Sequence, residues 1–103
     1  MIAKTPKTPY YAVIFTSTMS EIVDGYEETA QKMVDLAKQQ KGFLGIESAK
    51  EELGITVSYW DSLEAIKNWK IQVDHVEARK KGRSIWYKAF KVRIAKVERD
   101  YGL

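Results

Sequence analysis

The segment Tyr10-Tyr11-Ala12-Val13-Ile14-Phe15-Thr16 is apolar on both of its faces. Aromatic and β-branched residues run through it, which predicts a β-strand. Tyr11, Val13 and Phe15 point to one side of such a strand, Ala12 and Ile14 to the other. A strand with two dry faces needs cover on both. The chain has 103 residues, enough for one domain built on one sheet with a single layer of helices. The second cover must come from elsewhere.

The remaining elements follow from periodicity and punctuation. Residues 1–9 hold Lys4, Pro6, Lys7 and Pro9 and read as a flexible N-terminal arm before a single domain over 10–103. Asp24-Gly25-Tyr26-Glu27 has capping-box spacing, which predicts a helix capped by Asp24. Tyr26, Ala30, Met33, Val34 and Ala37 form its apolar face, and Gly42 is expected to stop it after Lys41. Phe43 to Ala49 and Ile55 to Trp60 read as strands joined by a short turn, hence an antiparallel hairpin. Asp61 or Ser62 caps a second helix whose stripe is Leu63, Ile66, Trp69, Val73 and Val76. That helix ends near Lys80-Lys81-Gly82. Trp86 to Val97 is a long strand, with Ile85 and Trp86 alternatively in a short helical turn.

The order is β-α-β-β-α-β. This is an α+β, ferredoxin-like arrangement with an antiparallel sheet and both helices on one face. The other face carries the rest of the apolar residues of the first strand and one of the pair Tyr59 and Trp60, which point to opposite sides. An uncovered apolar sheet face is an association site. A two-fold homodimer with sheets packed face to face is the expectation.

Composition removes several chemistries. The chain has no Cys and one His, so disulfides, thiolate metal sites, thiol nucleophiles and multi-histidine clusters within one chain are excluded. There is no glycine-rich phosphate loop or dinucleotide fingerprint, and no metal-ligand spacing among the carboxylates. No apolar run reaches the length of a membrane span and no targeting segment is evident, so a cytoplasmic protein without a membrane partner is expected. Charge is unevenly spread. Residues 1–78 carry 8 basic and 12 acidic side chains, whereas residues 79–103 carry 9 basic and 2 acidic. Without a phosphate-binding motif, the basic end reads as a helix terminus and a wet strand face rather than a nucleic-acid site.

Four stretches in order are similar to one family. Gly42-Phe43-Leu44-Gly45-Ile46-Glu47-Ser48, Gly54-Ile55-Thr56-Val57-Ser58-Tyr59-Trp60, Leu63-Glu64-Ala65-Ile66-Lys67-Asn68-Trp69-Lys70 and Gly82-Arg83-Ser84-Ile85-Trp86-Tyr87 resemble the antibiotic biosynthesis monooxygenase domain family, in its small single-domain bacterial subgroup. The resemblance covers roughly residues 10–100 and implies a dimeric α/β barrel of ferredoxin-like protomers. It implies a pocket in each protomer between sheet and helices, and sheet faces that make the dimer. Some members are cofactor-independent oxygenases of aromatic substrates, others bind and degrade haem, and many have no established activity.

That resemblance selects candidate site residues. In cofactor-independent oxygenases of this type the substrate itself reduces oxygen, so the protein supplies a proton acceptor, an oxyanion donor and a dry aromatic pocket. By residue type His75, Tyr87 and Arg93 are the catalytic candidates. Trp69, Tyr59 and Trp86 are the substrate-binding candidates, and Asn68, next to Trp69 on the helix, is expected at the surface. Haem is the alternative cofactor to none. The haem-degrading members place a histidine ligand about a decade of residues after the helix tryptophan, whereas His75 follows Trp69 by six. The expected activity is oxygenation of a hydrophobic aromatic small molecule. The alternatives are haem degradation and a non-catalytic ligand-binding or structural dimer.

Overall fold

The computed structural model describes residues 1–80 and 83–103, with side chains for 1–76 and 85–103. The elements are β1 (Tyr10–Met19), α1 (Tyr26–Lys38), β2 (Phe43–Lys50), β3 (Gly54–Trp60), α2 (Leu63–Lys80), α3 (Arg83–Trp86) and β4 (Tyr87–Val97). The short helix α3 precedes β4, so Ile85 and Trp86 take the helical alternative. The strands form one antiparallel sheet in the order β2-β3-β1-β4. This is the ferredoxin-like arrangement expected from the order of elements. The stop at Gly82 lies outside the described residues.

Pairing register separates the two faces. Tyr11, Val13, Phe15 and Ser17 stand beside Trp60, Ser58, Thr56 and Gly54 of β3. They also stand beside Lys96, Ile94, Val92 and Phe90 of β4. This inner face meets the helices. The core is Val13, Trp60, Ala37, Ala65 and Ile66, with Tyr11, Phe43 and Trp69 packed against it. Ala12, Ile14 and Thr16 point outward with Tyr59, Val57 and Ile55. Trp60 is fully buried, and its indole N–H donates to Ser58 Oγ at 2.9 Å, which satisfies a polar group that burial would otherwise penalise.

Local chemistry departs from expectation at both ends of α1. The N-cap is Gly25, not Asp24, and no side chain among the described residues caps the helix. Gly25 has φ 79°, a left-handed conformation that glycine adopts without strain. The helix therefore starts at Tyr26, which moves Asp24 outside it and breaks the capping-box spacing. At the other end α1 stops at Lys38, with Gln39 as C-cap, and Gly42 (φ 91°) lies in the turn beyond. Ser62 caps α2, its Oγ accepting from Ala65 N at 3.1 Å. Of the expected apolar stripe, Ile66 and Val73 are buried but Leu63 is 55% exposed, and Ala65, outside the stripe, is buried. Among the described residues no helix is long and apolar enough to cross a membrane.

Candidate functional site

A cavity of about 770 Å³ lies between the inner sheet face and the helices. Such a volume suits a small organic ligand. Tyr26 and Val34 of α1, Trp69 and Val73 of α2, Trp86 at the end of α3 and Tyr87 at the start of β4 are among its walls. The apolar stripes of both helices thus serve twice, closing the core at one end and walling the cavity at the other. On the β4 side Val92 and Ile94 are 42% and 53% exposed, so the cavity opens to solvent there.

Aromatic rings dominate one end. Tyr87 lies edge-on to Phe15 at 5.4 Å between centroids and edge-on to Tyr26 at 5.8 Å. Tyr26 is also edge-on to Trp86, and Phe15 stacks on Phe90. Each such pair adds about 0.5–1.5 kcal/mol beyond burial. Hydrogen bonds to backbone carbonyls lock the cluster. Ser20 N donates to Trp86 O at 2.7 Å, and Trp86 Nε1 donates to Asp24 O at 2.8 Å. The Tyr87 and Tyr26 hydroxyls are 3.5 Å apart.

Of the six nominated side chains, three reach this cavity. Trp69, Trp86 and Tyr87 line it; His75, Arg93 and Tyr59 do not. His75 is exposed on α2. It follows buried Val73 by two residues, which turns it by about 200° to the far side of the helix. Asn68 is exposed, as expected from its step away from Trp69. Arg93 stands beside Ile14 on the outer face. Tyr87 and Arg93 lie an even number of residues apart and would share a face of a regular strand, but the register shifts between them: Thr18 pairs with Ala89, whereas Met19 pairs with Tyr87. The extra β4 residue, Lys88, is a bulge that swings Tyr87 to the inner face.

Tyr59 belongs to a second, outer-face cluster. Its hydroxyl donates to Glu47 Oε1 at 2.6 Å, and Ala3 N donates to Glu47 Oε2 at 2.8 Å. Burial, then the Glu47 hydrogen bond, pushes the Tyr59 phenol up to about 12. The same bond, joined by Ala3 N–H, holds the Glu47 carboxyl below the usual carboxylate range. Tyr10 is raised by its hydrogen bond to Asp100. These bonds fasten the N-terminal arm over β2, where Gly45 leaves room: a Cβ there would lie 2.9 Å from Ala3 Cβ.

Sequence reasoning did not nominate Tyr26, Phe15, Phe90 or Lys50. Tyr26 was assigned to a helix stripe, and a stripe residue facing an open cavity has the same spacing as one facing the core. Haem held by the single imidazole does not fit this cavity, because His75 is exposed outside it. Among the described residues no group of three or more carboxylate or imidazole side chains could hold a metal ion.

A four-stranded antiparallel sheet with α1 and α2 on one face, and an aromatic cavity beneath them, defines a ferredoxin-like protein. The model of the antibiotic biosynthesis monooxygenase family matches residues 9–81, and the chain belongs to that family. The uncharacterized protein YqjZ of Bacillus subtilis (strain 168) is 56% identical over 101 residues, covering 96% of this chain and 89% of YqjZ. SnoaB, a cofactor-independent oxygenase from Streptomyces nogalater, shares the fold with a TM-score of 0.74 at 10% identity, over 90% of this chain and 97% of SnoaB. PA3566 from Pseudomonas aeruginosa does so with a TM-score of 0.69 at 15% identity, over 91% of this chain and 97% of PA3566.

Proposed function

We propose that the chain is a cofactor-independent monooxygenase that holds a flat hydrophobic aromatic molecule under α1 and α2. The observation that carries this is the aromatic cavity of about 770 Å³ walled by Trp69, Trp86, Tyr87 and Tyr26. Membership of the monooxygenase family and the fold shared with a cofactor-independent oxygenase support it.

The chemistry asks little of the side chains. A phenol or anthrone in the cavity loses a proton to water along the open β4 side. The carbanion passes one electron to O₂, the resulting radical pair combines to a peroxide, and the peroxide loses water to leave a carbonyl. One oxygen atom stays on carbon and the other leaves as water, while the substrate (for an anthrone, its CH₂ carbon) supplies all four electrons. Tyr87 donates a hydrogen bond to the substrate oxygen as its charge develops. The indole planes keep the carbanion dry and flat. The working unit is a homodimer in which the outer sheet faces pack together.

An anthrone such as 1,8-dihydroxyanthrone tests this. Tryptophan quenching on binding, uptake of one O₂ per anthrone and retention of one labelled atom from ¹⁸O₂ are expected. Absence of quenching overturns the cavity reading. Quenching without oxygen uptake overturns the oxygenase reading and leaves a ligand-binding protein.

A further inference from the structure

The cavity wall contains one charged group whose position suggests more than solubility. Lys50 ends β2 on the inner face and lines the cavity. Its Nζ stands 4.5 Å from the centroid of the Tyr26 ring. A cation over a tyrosine face is held by the ring quadrupole. That contact uses the face of the ammonium toward the ring and leaves N–H donors for another partner.

The other lining charges are differently placed. Lys70 and Asp74 neutralise each other at 2.7 Å, four residues apart on α2. Glu47 is taken by Tyr59 and Ala3 N. Glu27 sits in the first turn of α1, where the helix N-terminus offsets its charge. Lys50 has no ion-pair partner among the described residues. A cation held on an aromatic wall at the mouth of an apolar cavity is suited to an anionic substituent on an otherwise apolar ligand.

We infer that the cavity selects aromatic molecules bearing an acidic group, a carboxylate, sulfonate or phenolate, and that Lys50 is the residue that receives it. This rests on the cavity being the ligand site, as proposed above. The body of the ligand lies against Trp69 and Trp86. Its anionic edge lies beside Tyr26, within reach of the Lys50 ammonium.

Two probes of one scaffold separate the claims. 1-Anilinonaphthalene-8-sulfonate is anionic, and N-phenyl-1-naphthylamine is its neutral counterpart. Both are titrated by fluorescence into the full chain, into Lys50→Met and Lys50→Arg, and into Lys32→Met, which removes an equal charge from an exposed residue of α1 outside the cavity wall. The sulfonate is expected to bind Lys50→Met about tenfold more weakly, an effect that shrinks with salt, and to bind Lys50→Arg and Lys32→Met within about twofold of the parent. The neutral probe is expected to bind all four alike. Equal sulfonate affinity in Lys50→Met and the parent overturns the role of Lys50 while leaving the cavity reading intact. Val34→Trp fills the cavity, and signal from the neutral probe that persists in that variant overturns the cavity reading itself.

Discussion

Trp69 lies against Trp60 with ring centroids 5.0 Å apart and planes inclined by 31°. The buried indole of β3 thereby sets the orientation of the half-buried indole of α2 that lines the cavity. Trp69 Nε1 is buried without a hydrogen-bond partner among the described residues. Its packing therefore rests on dispersion and ring contact rather than on polar bonding.

That arrangement separates two substitutions. Trp69→Ala leaves a void against Trp60 and should cost about 3 kcal/mol, read as a lower urea midpoint, with loss of ligand quenching. Trp69→Phe keeps one ring but loses the pyrrole half of the indole with its unpartnered N–H, leaving a smaller void, so about 1–2 kcal/mol is expected. A Trp69→Phe protein less stable than Trp69→Ala would contradict this account of the packing.

Gly42 should tolerate nothing larger. Its φ is 91°, and a Cβ would come within 2.6 Å of Ala65 Cβ and against the Asp61 carboxylate. Its carbonyl also accepts from Asp61 N at 2.8 Å, which ties the turn after α1 to the start of α2. Backbone strain and the clash together predict that Gly42→Ala destabilises by about 2–3 kcal/mol. Thermal unfolding followed by circular dichroism measures it.

The contrast between Gly42 and Tyr87 shows what a one-dimensional reading captures. Hydrophobic periodicity reports which residues seek cover, so the strands, the two long helices and the inner face of β1 were legible from Tyr10 to Val97. It does not report a bulge. One extra residue at Lys88 reverses parity, so Tyr87 and Arg93, alike in spacing, stand on opposite faces. Nor does a helix stripe say whether its residues meet core or void: Trp69 and Tyr26 have the same spacing signal as buried Ala37. His75 looked chemical because it is the single imidazole, but residue type does not say which way a helix position turns. Lys50 carried no signal, since its contact is with a ring from another element, Tyr26 of α1.

The position of His75 leads to a kinetic expectation. An exposed imidazole on the far side of α2 has no route to a ligand beside Trp69. His75→Ala is expected to leave ligand quenching and anthrone turnover unchanged. Turnover should rise with pH as the anthrone itself ionises, without an inflection near the usual histidine value of about 6.5. A turnover loss in His75→Ala exceeding tenfold would restore the histidine as a proton acceptor.

The arm over β2 should respond to acid. Glu47 has a lowered pKa in the folded chain, through Tyr59 first and Ala3 N–H second. The unfolded chain therefore takes up its proton at a higher pH than the folded one. The stabilisation is present above the ordinary glutamate value and is lost as pH falls through the folded value. Tyr59 behaves oppositely at the alkaline end. Its phenol is raised to about 12, so its contribution is complete below the unfolded value of about 10 and is lost as pH climbs through the folded one. Amide exchange at Ala3 should accelerate as pH is lowered below about 4.5, relative to its intrinsic rate. Glu47→Gln should raise that relative rate already at neutral pH. Equal protection of Ala3 in Glu47→Gln and the parent would show that the arm is held by other contacts.

The outer face supplies the last expectation. Ile14 and Val57 stand side by side in register at its centre, and both helices pack on the opposite side of the sheet. Beside them Lys91 and Arg93 are exposed on β4. Apolar residues at the centre with cations toward one edge form the layout of a protein interface, with a dry middle and a charged rim. In the proposed homodimer Ile14 of each copy lies near the two-fold axis, so one substitution acts twice. Ile14→Lys should bring two like charges together at the centre and convert a species of twice 11.9 kDa into one of 11.9 kDa, measured by sedimentation at micromolar concentration. The inner face, which carries the core and the cavity, is untouched by this change, so the far-ultraviolet circular dichroism should be retained. A parent protein that sediments as a monomer under these conditions would remove the homodimer from the proposal.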